Sequence, residues 1–141
     1  MQEARKARIR LQSRHEGESV EQETEAEVFE RGGALYLKYE EPDVDLQGQK
    51  TRTLLKITPD SLKMIRHGAV ESEQTFQEGH MLPGFYRSPY TTFNLSTQTS
   101  SLKVDLDGGF SGTVAWTYDL YVYEECTGNF DISLHIQEEN Q

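Results

Sequence analysis

Between residues 6 and 30 the chain alternates with a period of two on both sides of a single glycine. Lys6, Arg8, Arg10 and Arg14 stand at even positions, with Ala7, Ile9, Leu11, Ser13 and His15 between them. Beyond Gly17 the parity swaps: Glu21, Glu23, Glu25 and Glu27 are odd, while Val20, Gln22, Thr24, Ala26 and Val28 are even. Period two sends alternate side chains to opposite faces of a strand, whereas a helix would scatter the glutamates around its circumference. The segment is therefore expected to be a β-hairpin rather than a solvated charged tail. A two-residue Gly17-Glu18 loop suits a type II′ turn. Its register would set Arg14 against Glu21, Arg10 against Glu25 and Arg8 against Glu27, with Leu11 meeting Thr24 and Ile9 meeting Ala26 inside. Each exposed pair is worth roughly a few tenths of a kcal/mol, so its main effect is on register.

The same alternation recurs downstream. Leu35, Leu37 and Tyr39 share a face after the Gly32-Gly33 turn, and Leu55 and Ile57 share one before Pro59-Asp60. Phe93, Leu95 and Thr97 form a set, as do Leu102, Val104 and Leu106, which precede a Gly108-Gly109 turn. Val114, Trp116, Tyr118, Leu120 and Val122 line one side of their run, and Phe130, Ile132, Leu134 and Ile136 line one side of the last, turning His135 outward. Pro83 and Pro89 demote 81–90 to an edge, bend or bulge. In "SLKMIRHGAVESEQTF" a three-residue 67–69 loop, with Gly68 in a left-handed bulge, would pair Met64 with Ser72, Leu62 with Gln74 and Lys63 with Glu73. That register puts Arg66 on the inner face, where a guanidinium needs a carboxylate, carbonyls or a ligand.

About ten strand-like runs joined by short turns, with little or no helix, predict an all-β sandwich or meandering barrel. Hairpin-linked neighbours favour an up-and-down antiparallel barrel of about 8–10 strands, because closure removes exposed edges. At 141 residues this is a single domain, 1–141, with 1–4 and 138–141 expected to fray. Seven Tyr, six Phe and one Trp are too many rings for a disordered chain. The net charge of −10 opposes both a phosphate backbone and an anionic bilayer, so neither nucleic acid nor membrane is an expected partner. No apolar run is long enough for a membrane span and no signal-peptide pattern opens the chain. The lone Cys126 permits no internal disulfide. Together these features predict a soluble, acidic, cytoplasmic protein.

"LYLKYEE" at 35–41, "MIRHGAV" at 64–70, "FQEG" at 76–79, "YRSPY" at 86–90 and Gly112 followed by Tyr118-x-Leu120 occur in a telling order and spacing. They resemble the YwiB-like family of small bacterial proteins of unknown function. The resemblance spans residues 5 to 137 and implies a calycin-like antiparallel barrel, with no established activity. The chain departs from the family pattern at His67, Ser88 and Thr91, where Ser, Thr and Gly are usual, and the last change argues against a tight glycine turn.

Candidate chemistry is sparse. His67, Glu71, Glu73 and His80 have no metal-motif spacing, and no cofactor is expected. A Cys126–His135 nucleophile pair has no supporting pattern, with Cys126 placed in a "CTGN" turn. Inward carboxylates of the glycosidase kind are not evident, because the glutamates fall on the charged face. The inner faces carry the more useful residues. His15, Gln22, Arg66, Gln74, Trp116 and Tyr118 would line the barrel, as apolar walls with a few converging polar groups. A filled core, in which small residues make room for Trp116 and Tyr118, is the competing expectation. The lipocalin G-x-W start and the R-x-Y pair of fatty-acid-binding barrels are both missing. The leading expectation is a non-enzymatic barrel binding a small or extended ligand in its interior or at its mouth. The alternative is a scaffold that forms a homodimer or holds a partner through an outer strand face bearing Tyr121 and Tyr123.

Overall fold

The period-two pattern becomes the inside and outside of one closed wall. The structure, a computed structural model, describes residues 4–107 and 110–139, with Asp43 described by its backbone alone. Ten strands follow one another: β1 (Arg5–His15), β2 (Glu18–Arg31), β3 (Ala34–Val44), β4 (Lys50–Ile57), β5 (Leu62–Gly68), β6 (Glu71–Phe76), β7 (Met81–Arg87), β8 (Thr92–Leu106), β9 (Gly112–Val122) and β10 (Glu125–Glu138). Each pairs antiparallel with the next, and β10 returns to β1, closing an up-and-down barrel without a helix among the described residues. Glu138 still pairs with Ala7, and the Glu139 N–H donates to the Lys6 carbonyl. The expected Gly108-Gly109 turn lies outside the described residues.

Faces follow the sequence parity, but two registers do not. The first hairpin turns on Glu16-Gly17, with φ of 50° and 81°, a type I′ geometry with left-handed φ at both central residues, in place of the expected Gly17-Glu18 turn. Arg10 therefore faces Glu23, not Glu25, and Arg8 faces Glu25. The ion pairs run diagonally, Arg8 to Glu23 at 3.8 Å and Arg10 to Glu21 at 3.9 Å. In the second hairpin Leu62 faces Phe76, Met64 faces Gln74 and Arg66 faces Ser72, again two residues from expectation. Gly68 forms no left-handed bulge; it continues β5 opposite Thr51 with φ of 140°. A Cβ there would lie 2.2 Å from the Lys50 carbonyl oxygen, so only glycine permits this approach. Because both slips are even, every side chain keeps its face.

Three local readings are also corrected. Residues 81–87 form a full strand, β7, despite Pro83. The β6–β7 ladder stops after Glu73 opposite Phe85, and the Thr75 carbonyl accepts from Thr97 Oγ1 at 2.7 Å. The proline thus sits where its missing N–H is not required. The runs 92–97 and 102–106 are one strand, β8, whose inward parity changes at an irregularity between Thr99 and Ser101. "CTGN" belongs to β10, with an irregularity between Cys126 and Gly128, and the turn before it is Tyr123-Glu124.

One half of the interior is solidly apolar. Ile9, Val28, Leu37, Leu55, Leu62 and Leu134 are fully buried there, each contributing about 1.5–3 kcal/mol by leaving water. The other half, under the turns that start at Glu16, Asp45, Ala69, Ser88 and Tyr123, is lined differently and forms the candidate site.

Candidate functional site

Strand parity brings all six expected lining residues to the inner wall. Four of them belong to or touch a run of rings that crosses the barrel. His15 stacks on Phe130 with centroids 4.3 Å apart, and Phe130 stacks on Tyr118 at 5.2 Å. Tyr118 tilts against Phe76 at 4.7 Å, and Phe76 against Trp116 at 5.6 Å. Gln74 hydrogen-bonds Tyr118, whose hydroxyl burial pushes up to about 12, partly offset by that bond. Trp116 belongs to the apolar end, whereas His15 lies at the other, its Nδ1 hydrogen-bonded to the Asn129 carbonyl at 3.1 Å. Gly128 makes this seat, since a Cβ there would come 2.4 Å from His15 Cε1. Gln22 is half-buried on β2 opposite Leu11 and joins none of these contacts.

Arg66 has the carboxylate its inward position requires. Its Nε and NH2 donate to the two oxygens of Glu41, both at 2.8 Å, in a fork-to-fork pair. Thr53 Oγ1 donates to the same carboxylate at 2.7 Å. The pair is partly shielded, with side-chain exposures of 28% for Arg66 and 16% for Glu41. Burial pushes the Glu41 carboxyl up, but the Arg66 and Thr53 hydrogen bonds and the Arg66 charge outweigh it and hold it below its ordinary value. Burial likewise works against the Arg66 charge, and Glu41 more than restores it. Beside them, burial and then the Glu41 charge push the Tyr39 hydroxyl up to about 12. Ser72, which faces Arg66 across the ladder and Tyr86 on its other side, is buried with no partner for its Oγ among the described residues. Tyr86 stacks on Phe93 at 5.2 Å. Thr99 Oγ1 and Trp116 Nε1 are likewise buried without a partner among the described residues.

Glu41 is the inward carboxylate that the sequence reading missed. The signal was present, because Glu41 extends the odd-numbered face of Leu35, Leu37 and Tyr39 by one step. It was obscured by the exposed Glu40 beside it. Among the described residues, no group of three or more His, Cys, Asp or Glu side chains is placed to hold a metal ion.

The molecule is thus a closed ten-stranded up-and-down barrel, apolar at one end and carrying a ring-lined polar mouth at the other. The chain belongs to the family described as a domain of unknown function, DUF1934, whose sequence model matches residues 6–134. It is 29% identical over 109 residues to the uncharacterized beta-barrel protein YwiB of Bacillus subtilis (strain 168), covering 77% of this chain and 73% of that one. The crystal structure of the ywiB protein from Bacillus subtilis superposes with a TM-score of 0.79 at 21% identity, covering 99% of this chain and 94% of that one. That likeness shows the fold.

Proposed function

We propose that the protein is a non-enzymatic binding barrel whose ligand seats at the polar mouth, over Arg66 and Glu41. The observation that carries this reading is the forked ion pair itself, held on the inner wall beside the unpartnered Ser72 hydroxyl and the Tyr39 and Tyr86 rings. Hydrogen bonds to Glu41 occupy Nε and one N–H of NH2, and among the described residues NH1 has no hydrogen-bond acceptor, so it can donate to a polar ligand group. Aromatic walls with few, fixed polar groups are the usual composition of a small-molecule site. Native mass spectrometry of the protein purified from its own organism tests the reading. A bound species should appear that is lost in Arg66→Met; recovery of the bare chain alone, under gentle conditions, would count against it.

A second reading, self-association, is favoured by a hollow on the outer wall of β2 to β5. There Leu54 and Ile65 lie half-buried beside Lys38 and Arg52, with Glu25 and Glu27 across from them. The aromatic face considered from sequence divides: Tyr121 stays on the wall, while Tyr123 occupies the turn. Sedimentation over a wide concentration range decides this reading, since a monomer throughout would remove it.

A further inference from the structure

We propose that the mouth end is a docking surface for a basic segment of a partner protein that also carries apolar side chains. This rests on the reading that the mouth is the binding end. Among the described residues, five of the six large hydrophobic side chains that are most exposed gather there: Val20, Val44, Leu46, Tyr90 and Tyr123. Leu46 is 95% exposed, Tyr90 79% and Tyr123 76%. They come from the starts, ends and turns of four different hairpins, so no local run of sequence accounts for their assembly. Scattered exposed hydrophobics need no explanation, but an apolar crown around one opening marks an interaction surface. Tyr123 also holds a left-handed φ of 52°, a conformation a large side chain adopts at a cost.

The charges at this end select the partner. Of its lysines and arginines, Lys50 pairs with Glu40, Arg66 with Glu41 and Arg87 with Glu71, whereas Arg14 and Arg52 are exposed and make no ion pair among the described residues. Glu16 and Asp45 have no lysine or arginine partner there either, and with three further carboxylates the unpaired acids outnumber those two cations. Glu18, Glu124 and Glu125 are exposed and make no ion pair among the described residues. A crown of apolar side chains with uncompensated carboxylates complements lysine or arginine beside leucine or an aromatic ring. A second copy meeting mouth to mouth would bring two acidic surfaces together, and an anionic bilayer would repel them. At the mouth end the barrel offers no free strand edge among the described residues, so the segment is held by its side chains and not by strand addition.

The test uses the full chain and three fluorescein-labelled synthetic peptides of equal length: alternating Lys and Leu, alternating Glu and Leu, and alternating Lys and Ser. By anisotropy only the Lys–Leu peptide should bind, and raising the salt should weaken it. The triple variant Leu46→Ser, Tyr90→Ser, Tyr123→Gly should bind at least about tenfold more weakly. The pair Glu124→Lys, Glu125→Lys should weaken binding as well, and neither variant should melt below the parent, because the altered side chains are exposed and glycine suits the left-handed φ at 123. Equal binding of all three peptides, or binding unchanged in the triple variant, overturns the proposal. So does docking on phosphatidylserine vesicles, or a doubling of mass, that the triple variant abolishes. If no peptide binds while a co-purified species still depends on Arg66, docking fails and the mouth reading stands. If both fail, the mouth reading falls with it.

Discussion

Cutting the Arg66–Glu41 pair one side at a time separates a structural ion pair from a decorative one. Removing one partner of a fully buried pair costs about 3–5 kcal/mol, because the survivor keeps its desolvation and loses its counter-charge. Here the side chains retain 28% and 16% exposure, so a cost of about 2–3 kcal/mol is expected. Arg66→Met should be the worse change. It leaves the Glu41 carboxylate with Thr53 alone, whereas Glu41→Leu frees a longer side chain that reaches water more readily. The double variant should return to within about 1 kcal/mol of the parent, giving a coupling of at least about 3 kcal/mol. Urea unfolding at neutral pH measures all four corners of the cycle. Acid supplies an internal check. A carboxyl whose folded pKa is depressed stabilises above its unfolded pKa and loses that contribution as pH falls through the folded one. The penalty for losing Glu41 should therefore shrink in acid and not in alkali. Single variants within about 0.5 kcal/mol of the parent, or a double as unstable as the worse single, would refute the reasoning.

Three further outcomes are expected. Gly68→Ala should destabilise by about 2 kcal/mol or more in the same unfolding assay, since its Cβ meets the Lys50 carbonyl and φ is 140°; a change below about 0.5 kcal/mol would contradict the close approach. Charge-reversal cycles at low salt should find a coupling of a few tenths of a kcal/mol for Arg8 with Glu23 and none for Arg10 with Glu25, the pair the turn chemistry favoured. In alkaline spectrophotometric titration, Tyr39 and Tyr118 should ionise late, at about 12. Their folded pKa lies above the unfolded one, so stability should fall as pH rises through this range. Normal ionisation of all seven tyrosines in the folded protein would show these two are not buried.

Inside and outside were legible from residue types alone, because burial selects side chains two apart and the barrel wall has only two faces. Ala7, Ile9, Leu37, Leu55, Trp116 and Leu134 all lie where parity puts them. Register was not legible, because it depends on turn backbone angles. Glu16 in a left-handed conformation costs little enough that it displaced the expected turn by one residue. The Ser100 irregularity was visible only as two runs of opposite parity, which reads equally well as two strands. Within the site, Arg66 announced that it needed a partner, but the partner's identity is a matter of strands β3 and β5 meeting across β4. That distance in space leaves no trace in local spacing. Ser72 is the clearest case: as a sequence position it is an ordinary inward serine, and only packing shows its hydroxyl to be unpartnered.

The pairing of β1 with β10 has a consequence for how the chain is made. These two strands are separated by most of the sequence, so their seam is the last that synthesis permits to close. Until then β1 carries an open edge beside the apolar inner row of Ala7, Ile9 and Leu11. Such an edge invites pairing with another unfinished chain. Its outer row is Lys6, Arg8, Arg10 and Arg14, and two such strands brought edge to edge would repel each other. The row of cations that faces the glutamates of β2 in the finished barrel also guards the unfinished one.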